Sequence, residues 1–263
     1  FSERRFRTLL AGVFASAALL VNPLDDRAEL QVAERLTRAA ALGEANGEKA
    51  LAEIVAAERV RPGDVTVLCQ KAQMLLSLGR LDEAEAAIDA ALRAKPNHPT
   101  ASIIKGRVVL ARDQRATFAA QRVLRTALSH HKWNRPLILA LAHSLRGRDF
   151  NEAAKDEAVS LYEGVLMKDA RDSEAHGGLG QIQIDRGDFE RAAESFSQAA
   201  RHDPDLAPHF ANLGYALLKL GRWSESARAS EEALAIDPSL TIARANLAAA
   251  RREGKNEDSP RRH

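Results

Sequence analysis

The 263-residue chain has a single cysteine, Cys69, and aromatic residues make up only 5% of it. One cysteine cannot form an internal disulfide framework or a cysteine-rich metal site. The β-branched and aromatic runs that are typical of strands are scarce, whereas alanine and leucine, which are strong helix formers, supply most of the apolar content. We therefore expect an all-α fold.

The chain also lacks a strong net charge. Its formal charge is +2, and acidic and basic residues alternate along the sequence. Electrostatics therefore give no indication of a nucleic-acid partner, since such proteins carry a concentrated basic surface. We expect no nucleic acid among its ligands.

Recognisable catalytic and metal-binding motifs are missing as well. None of the eight histidines has the spacing of a zinc site, and the pair His130 and His131 is expected to be solvated or to cap a helix. The glycines at 177, 178 and 180 lie inside a predicted helix with no strand before it, which argues against a phosphate-binding loop. We expect a protein without cofactor, metal or small-molecule substrate, and not an enzyme.

The N-terminus is the one strongly apolar segment. A basic stretch, SERRFR, precedes an uninterrupted apolar run over residues 8–21. This pattern predicts a signal peptide or membrane anchor over residues 1–24. Fourteen helical residues span about 21 Å, less than the roughly 30 Å hydrocarbon core of a bilayer, so an export signal is the simpler interpretation. The residues expected to contact the membrane are Leu9, Leu10, Val13, Phe14, Leu19 and Leu20.

Two outcomes for this segment stay open. Ala15-Ser16-Ala17 is a small-x-small sequence at which a signal peptide could be cleaved, but an uncleaved anchor fits the same residues. With its basic flank on the cytoplasmic side, the rest of the chain would be exported. We therefore expect a location in the bacterial periplasm, attached to the inner membrane. A cytoplasmic protein is the alternative if the segment is an ordinary packed helix.

The rest of the chain repeats itself. A shift of 34 residues superposes Gly180 on Gly214 and Gly187 on Gly221, and it also aligns the alanines at 199 and 233 and the prolines at 204 and 238. The same register extends towards the N-terminus, with looser units at 99–134 and 135–172. An internal period of this length indicates stacked supersecondary units.

Each unit has the pattern of two antiparallel helices. In residues 173–205, apolar or small residues recur every three or four positions, Gly187 interrupts the run and Pro204 ends it. Helices of 12 to 14 residues are marginal alone and must bury their apolar stripe against a neighbour. Alanine and glycine at the crossing points let two backbones approach closely. Gly187 and Gly221 are expected to close first helices in the left-handed conformation.

These units resemble the tetratricopeptide repeat (TPR) family, and the resemblance covers about residues 31–252. Its consensus positions are met in one unit by Leu179, Gly180, Ala192, Phe196, Ala199 and Pro204. The next unit matches at Phe210, Leu213, Gly214, Leu217, Ala233 and Pro238, but Ser226 and Ser230 replace the usual alanine and aromatic residue. The resemblance implies a right-handed α-solenoid of about six helix pairs plus a C-terminal capping helix at 241–252. The charged residues 253–263 after it are expected to form a disordered tail.

The resemblance also implies a binding surface, because the first helices of such repeats line a concave face. The side chains expected there are Gln70, Gln73, Ile103, Ile104, Arg107, Leu139, His143, Arg146, Gln181, Asp185, Asn212, Tyr215, Lys219 and Asn246. This mixture of amides, bases, aliphatic groups and a tyrosine suits an extended peptide or a partner helix. Asn212 and Tyr215 are the foremost candidates. Only Asn212 matches the pattern by which some family members grip acidic C-terminal peptides, so that mode is not expected.

The resulting hypothesis is an exported, membrane-tethered TPR scaffold. It would bind another protein, as a peptide, a helix or a complex subunit, and it would contact the membrane through its N-terminal segment while assembling or stabilising an envelope complex. The alternatives are a permanent structural subunit of a membrane complex and a cytosolic chaperone-like TPR protein. Fold alone does not choose a partner.

Overall fold

A computed structural model describes residues 23–113, 116–146 and 152–258. Over these residues the chain forms thirteen α-helices and a short 3₁₀ turn at Glu44–Asn46, and no strand. The all-α expectation is confirmed. The predicted membrane-contacting residues, from Leu9 to Leu20, lie outside the described part. None of the helices within it has the length and apolar character to cross a membrane.

The chain divides into two compact units, residues 1–137 and residues 138–263. The first unit contains six helices: α1 (Pro23–Leu42), α2 (Gly47–Val60), α3 (Val65–Ser77), α4 (Leu81–Ala94), α5 (Pro99–Arg112) and α6 (Thr117–His130). Helix α7 (Arg135–Leu145) begins at its end and continues into the second unit. The second unit also contains α8 (Glu152–Leu166), α9 (Ser173–Asp185), α10 (Phe189–His202), α11 (Ala207–Lys219), α12 (Trp223–Ile236) and α13 (Thr241–Asp258).

Consecutive helices pack as pairs within each unit. In the first unit α1 packs on α2, α3 on α4 and α5 on α6; in the second, α9 packs on α10 and α11 on α12, while α13 contacts both α11 and α12. Counting α7 and α8, the helix order gives the expected six pairs and a final helix. First helices also contact each other, as α3 does with α5 and α11 with α13. Each unit therefore has the arrangement of an α-solenoid.

Left-handed glycines follow the first helix of four pairs, and Gly43, with a φ angle of 60°, follows α1. Gly79, Gly187 and Gly221 have φ angles of 72°, 76° and 73°. At Gly187 the chain closes with two hydrogen bonds, from the Gly187 N–H to the Ile184 carbonyl and from the Asp188 N–H to the Gln183 carbonyl. This is the Schellman pattern, which glycine adopts without steric cost. The expectation for Gly187 and Gly221 is confirmed.

Small residues form the helix crossings, as the repeat predicted. In the unit at 173–205, Ala192 and Ala199 are fully buried and Phe196 is nearly so. The departures at Ser226 and Ser230 also have a structural explanation. The Ser226 Oγ donates a hydrogen bond to the Gly214 carbonyl at 2.7 Å, and the Ser230 Oγ donates one to the Ser226 carbonyl at 2.8 Å. Both hydroxyls are therefore satisfied inside the core, where an unpaired hydroxyl would be costly.

The two ends of the repeat region differ from the prediction. Helix α1 begins at Pro23, so Pro23 and Leu24, which were assigned to the N-terminal segment, are helical. Proline suits the first turn of a helix because its missing N–H would have no partner there. Helix α13 continues to Asp258, and six residues of the expected disordered tail are helical as well. Lys255 lies in the last turn of this extension, where a positive charge is stabilising.

Candidate functional site

In the first unit, the predicted binding residues of α3 and α5 lie on one surface. Gln73 and Arg107 are each the ninth residue of their helix. The Arg107 Nη1 donates a hydrogen bond to the Gln73 Oε1 at 2.6 Å. Gln70 of α3 and Ile103 of α5 are close in sequence to these two residues, and both are partly buried. Equivalent side chains of these two first helices are therefore neighbours. In each unit, we call the surface formed by such side chains of the first helices the first-helix surface.

Ile104 does not belong to the first-helix surface. Its side chain is only 5% exposed and lies in the hydrophobic core with Ala101 and Val108 of its own helix and Ala91 of α4. The prediction that it contacts a partner is wrong. Leu139, which was included on the same grounds, is 1% exposed on α7 and is also a core residue.

In the second unit, α11 presents a small set of accessible polar and aromatic groups. Asn212 and Tyr215 are partly buried and Lys219 is exposed. The Lys219 Nζ lies 5.4 Å from the centroid of the Tyr215 ring, one helical turn away, which is the geometry of a cation–π contact. Tyr215 is therefore partly exposed beside a cation.

Helix α9 contributes Gln181, which is partly buried, and Asp185, which is exposed. Within the described residues, neither the Gln181 nor the Asn212 amide makes a hydrogen bond to another group of the protein. Amides of this kind can pair with the backbone of a bound peptide, because each carries both donors and an acceptor. Together with Tyr215 they give this surface the chemistry of peptide recognition.

Asn246 has a structural role instead of a binding role. Its side chain is 4% exposed, and its Nδ2 donates a hydrogen bond to the Ala211 carbonyl at 2.9 Å. This bond joins α13 to α11. The expectation that Asn246 contacts a partner is therefore wrong, because its amide is used inside the protein.

His143 of α7 lies near the start of α9, and Arg146 directly follows α7 in the chain. The His143 side chain is 38% exposed, and its Nδ1 lies 3.8 Å from the Glu174 Oε1. Burial lowers the pKa of His143, the positive charge of Arg146 lowers it further, and Glu174 opposes these effects. Because the pKa lies below its usual range, His143 is neutral at pH 7 and the contact with Glu174 is not a strong ion pair.

The most unusual packing of the second unit was not predicted from the sequence. Three glycines of α9 each face an aromatic ring from a different helix. Tyr162 of α8 lies against Gly178, Phe196 of α10 against Gly180, and the imidazole of His209, from α11, against Gly177. A Cβ at these glycines would lie 2.2, 2.9 and 2.9 Å from the respective rings. The three glycines within one helix are the sequence feature that could have indicated this packing.

Two polar atoms of these rings are buried without a partner. Within the described residues, neither the Tyr162 Oη nor the His209 Nε2 has a hydrogen-bond partner. Burial raises the pKa of the Tyr162 hydroxyl and lowers the pKa of His209, although Asp203 and Glu174 act to raise the latter. Both groups are therefore neutral at pH 7. Each ring packs against a glycine of α9 and so joins that helix to α8, α10 or α11.

The remaining titratable groups show no arrangement for covalent or metal chemistry. Burial, with a smaller contribution from Asp64, raises the pKa of the Cys69 thiol to about 11, so it stays protonated at neutral pH. In the part of the chain that the structure describes, no three His, Cys, Asp or Glu side chains meet as a metal site requires.

Family models described as tetratricopeptide repeat match most of the helical region. One matches residues 148–217, and a second matches residues 39–99 and 69–136. A curated relative from Solanum lycopersicum, named probable UDP-N-acetylglucosamine--peptide N-acetylglucosaminyltransferase SPINDLY, is 37% identical over 92 residues. That match covers 35% of this chain and only 10% of the relative. The chain therefore spans about a tenth of the length of this relative.

Solved structures share the fold at low sequence identity. The APC/C hetero-tetramer Cut9-Hcn1 is similar with a TM-score of 0.68 and 16% identity, covering 86% of this chain and 44% of that one. PilW, described as a widely conserved type IV pilus biogenesis factor, gives a TM-score of 0.67 and 15% identity, covering 86% of this chain and 100% of that one. At these identities the similarity establishes the fold alone.

Proposed function

The chain contains tetratricopeptide repeats across residues 39–136 and 148–217, and from this premise we propose that it is an exported scaffold tethered to a bacterial inner membrane. Its first-helix surface binds another protein, and this binding helps an envelope complex to assemble or to stay assembled. The membrane attachment is through residues 1–24. The protein has no catalytic role in this proposal.

One observation carries the binding part of the proposal. On α9 and α11, Gln181, Asn212 and Tyr215 are accessible, are held on rigid helices and have polar groups available for a partner. Sites on helices position their side chains more precisely than sites on loops. A tyrosine beside two amides can contact an apolar side chain of a peptide and satisfy its backbone at the same time.

The export and tethering parts rest on the sequence of residues 1–24. The basic stretch followed by the apolar run is the feature of an exported chain. The likeness to PilW, a pilus biogenesis factor by its description, is compatible with an envelope role but is a likeness of fold. A cytosolic scaffold would bind through the same surface, so localisation needs its own experiment.

Fractionation of cells that express the full chain tests this placement. We expect the protein in the membrane fraction, with its repeat region cut by a protease that reaches only the periplasm. Val13→Arg combined with Leu19→Arg should move the protein to a soluble fraction, because charges at the centre of an apolar segment oppose insertion. Ser259→Arg, in the charged C-terminus, is the matched control and should keep the wild-type distribution. A wild-type protein found only in the cytosol would refute export.

The mass of the intact mature protein separates a tether from a cleaved signal. Retention of residues 1–17 supports a permanent anchor, which is also what a structural subunit of a membrane complex requires. Loss of these residues at Ala17 would leave export intact but would remove the tether from the proposal.

A further inference from the structure

A repeat position that carries a large apolar residue in three other helix pairs carries a serine in the third helix pair. The fourth residue of the first helix is Leu68 in α3, Ile138 in α7 and Phe210 in α11, but it is Ser102 in α5. Leu68 and Ile138 are both buried. Ser102 is one of the residues that line an open cavity of about 340 Å³. We call it the Ser102 notch.

The walls of the Ser102 notch combine apolar and polar groups. Leu92 of α4 and Val123 of α6 supply aliphatic surface, and the turn before α5 closes one end. The complete lining consists of Leu92, Pro96, Asn97, Ser102, Arg122, Val123 and Thr126. All of these residues belong to the first unit. An aliphatic group placed here would be removed from water on two sides, which is favourable.

Ser102 shows that this notch is suited to a polar ligand as well. Its side chain is 2% exposed, and within the described residues its hydroxyl makes no hydrogen bond. Unlike Ser226 and Ser230, whose hydroxyls bond to backbone carbonyls, it has a donor and an acceptor available at the floor of a cavity. Because Ser102 lines the notch, water or a ligand there can bond to its hydroxyl.

The electrostatic surroundings of the notch are positive. Arg122 lines it, and no side chain in the described part of the protein accepts a hydrogen bond from this guanidinium. The adjoining turn carries Lys95. Burial lowers the pKa of His98, and the charge of Lys95 lowers it further. The notch also lies at the N-terminal end of α5, where the helix dipole favours an anion. A carboxylate is the group that best complements this charge.

We propose that the Ser102 notch binds the C-terminal residue of a partner chain when that residue is aliphatic. The aliphatic side chain lies on Leu92 and Val123, and the terminal carboxylate pairs with Arg122 and reaches the Ser102 hydroxyl. The volume is at the lower end of the range for ligand pockets, which fits one terminal residue better than a continuing peptide. This site is separate from the first-helix surface and does not depend on the proposed function.

Methyl NMR of the full-length protein tests the proposal, with N-acetyl-leucine as the probe. We expect saturable shifts of the Leu92 and Val123 methyl signals. N-acetyl-leucinamide, which lacks the carboxylate, should bind about fivefold more weakly, because a partly exposed charge pair contributes up to about 1 kcal/mol. A peptide ending in leucine should shift the same methyl signals as the probe, and its C-terminal amide should bind more weakly by a similar factor.

Three variants complete the test. Ser102→Leu restores the residue type of position 68 and should abolish binding while raising the melting temperature, because it fills the cavity. Arg122→Gln should weaken binding about fivefold, whereas Arg93→Gln, an exposed arginine on α4 outside the notch, should leave it unchanged. Arg122→Gln changes only a surface group, so it keeps the test decisive if Ser102→Leu does not fold. Binding that survives Arg122→Gln unchanged, equal binding of acid and amide, or no shift of the two methyl signals would overturn the proposal.

Discussion

The Tyr162 ring lies directly against the backbone of Gly178. A Cβ at Gly178 would be 2.2 Å from the Tyr162 Cζ, a distance that only a shift of the ring or the helix could relieve. The ring comes from α8 and the glycine from α9, so this contact joins two successive repeats of the second unit. Because Gly178 has no side chain, the hydroxyl end of Tyr162 can lie between the two repeats.

Gly178→Ala should therefore destabilise the protein although alanine is the better helix former. We expect a loss of about 1–3 kcal/mol in the free energy of unfolding, the usual cost of overpacking a filled core. Urea denaturation measures it. Gly164→Ala in α8 is the matched control, because a Cβ there has no neighbour within 4 Å. It should stabilise the protein by up to about 1 kcal/mol. Equal effects of the two substitutions would show that the ring contact is unimportant.

Two histidines of the second unit should make stability depend on pH. His143 and His209 both have lowered pKa values, mainly through burial. The unfolded chain therefore binds more protons than the folded chain once the pH falls below about 6.5, the ordinary histidine value. The stabilisation is present above that pH and is lost as the pH decreases below it. Melting temperatures between pH 7.5 and 5 should show this decrease, and His209→Gln should reduce its steepness. A decrease of the same steepness in that variant would exclude His209 as a source.

Asn246 and Asn212 are a matched pair for separating structural from binding roles. They occupy the same position in successive repeats. The Asn246 amide donates a hydrogen bond to the Ala211 carbonyl, whereas the Asn212 amide makes none within the residues that the structure describes. Asn246→Ala should cost about 1–3 kcal/mol of stability, because a buried hydrogen bond is broken. Asn212→Ala should change stability by less than about 0.5 kcal/mol, as a surface substitution does. Thermal denaturation of both variants measures the difference, and a similar loss in both would contradict the assignment.

The repeat itself was predictable because it is encoded in local spacing. Glycines at 187 and 221 and prolines at 204 and 238 recur at a fixed period, and this period determined the number and order of the helices. The packing needs only small residues at regular intervals, which a single sequence shows. The ends were less predictable, since α1 and α13 have a neighbouring repeat on only one side and their limits depend on individual residues such as Pro23 and Lys255.

The binding surface was predicted less well, for a physical reason. A repeat position gives the direction of a side chain but not what neighbouring helices place against it. Ile104 and Asn246 were expected on the surface and are buried, because adjacent helices cover them. The contact of Tyr162 with Gly178 could not be derived either, since the two residues belong to different repeats. The Ser102 notch could not be predicted from the sequence, because a cavity depends on how neighbouring helices are placed around a small residue.

Photo-crosslinking from Tyr215 in native membranes, with mass spectrometry of the products, tests the central claim most directly. Arg228, exposed on the second helix α12, is the matched control position. If the first-helix surface binds a partner, a photoreactive residue at 215 will capture one defined envelope protein and the same residue at 228 will not. If position 215 captures nothing above background, or if both positions capture the same proteins, the first-helix surface of α11 is not the binding site.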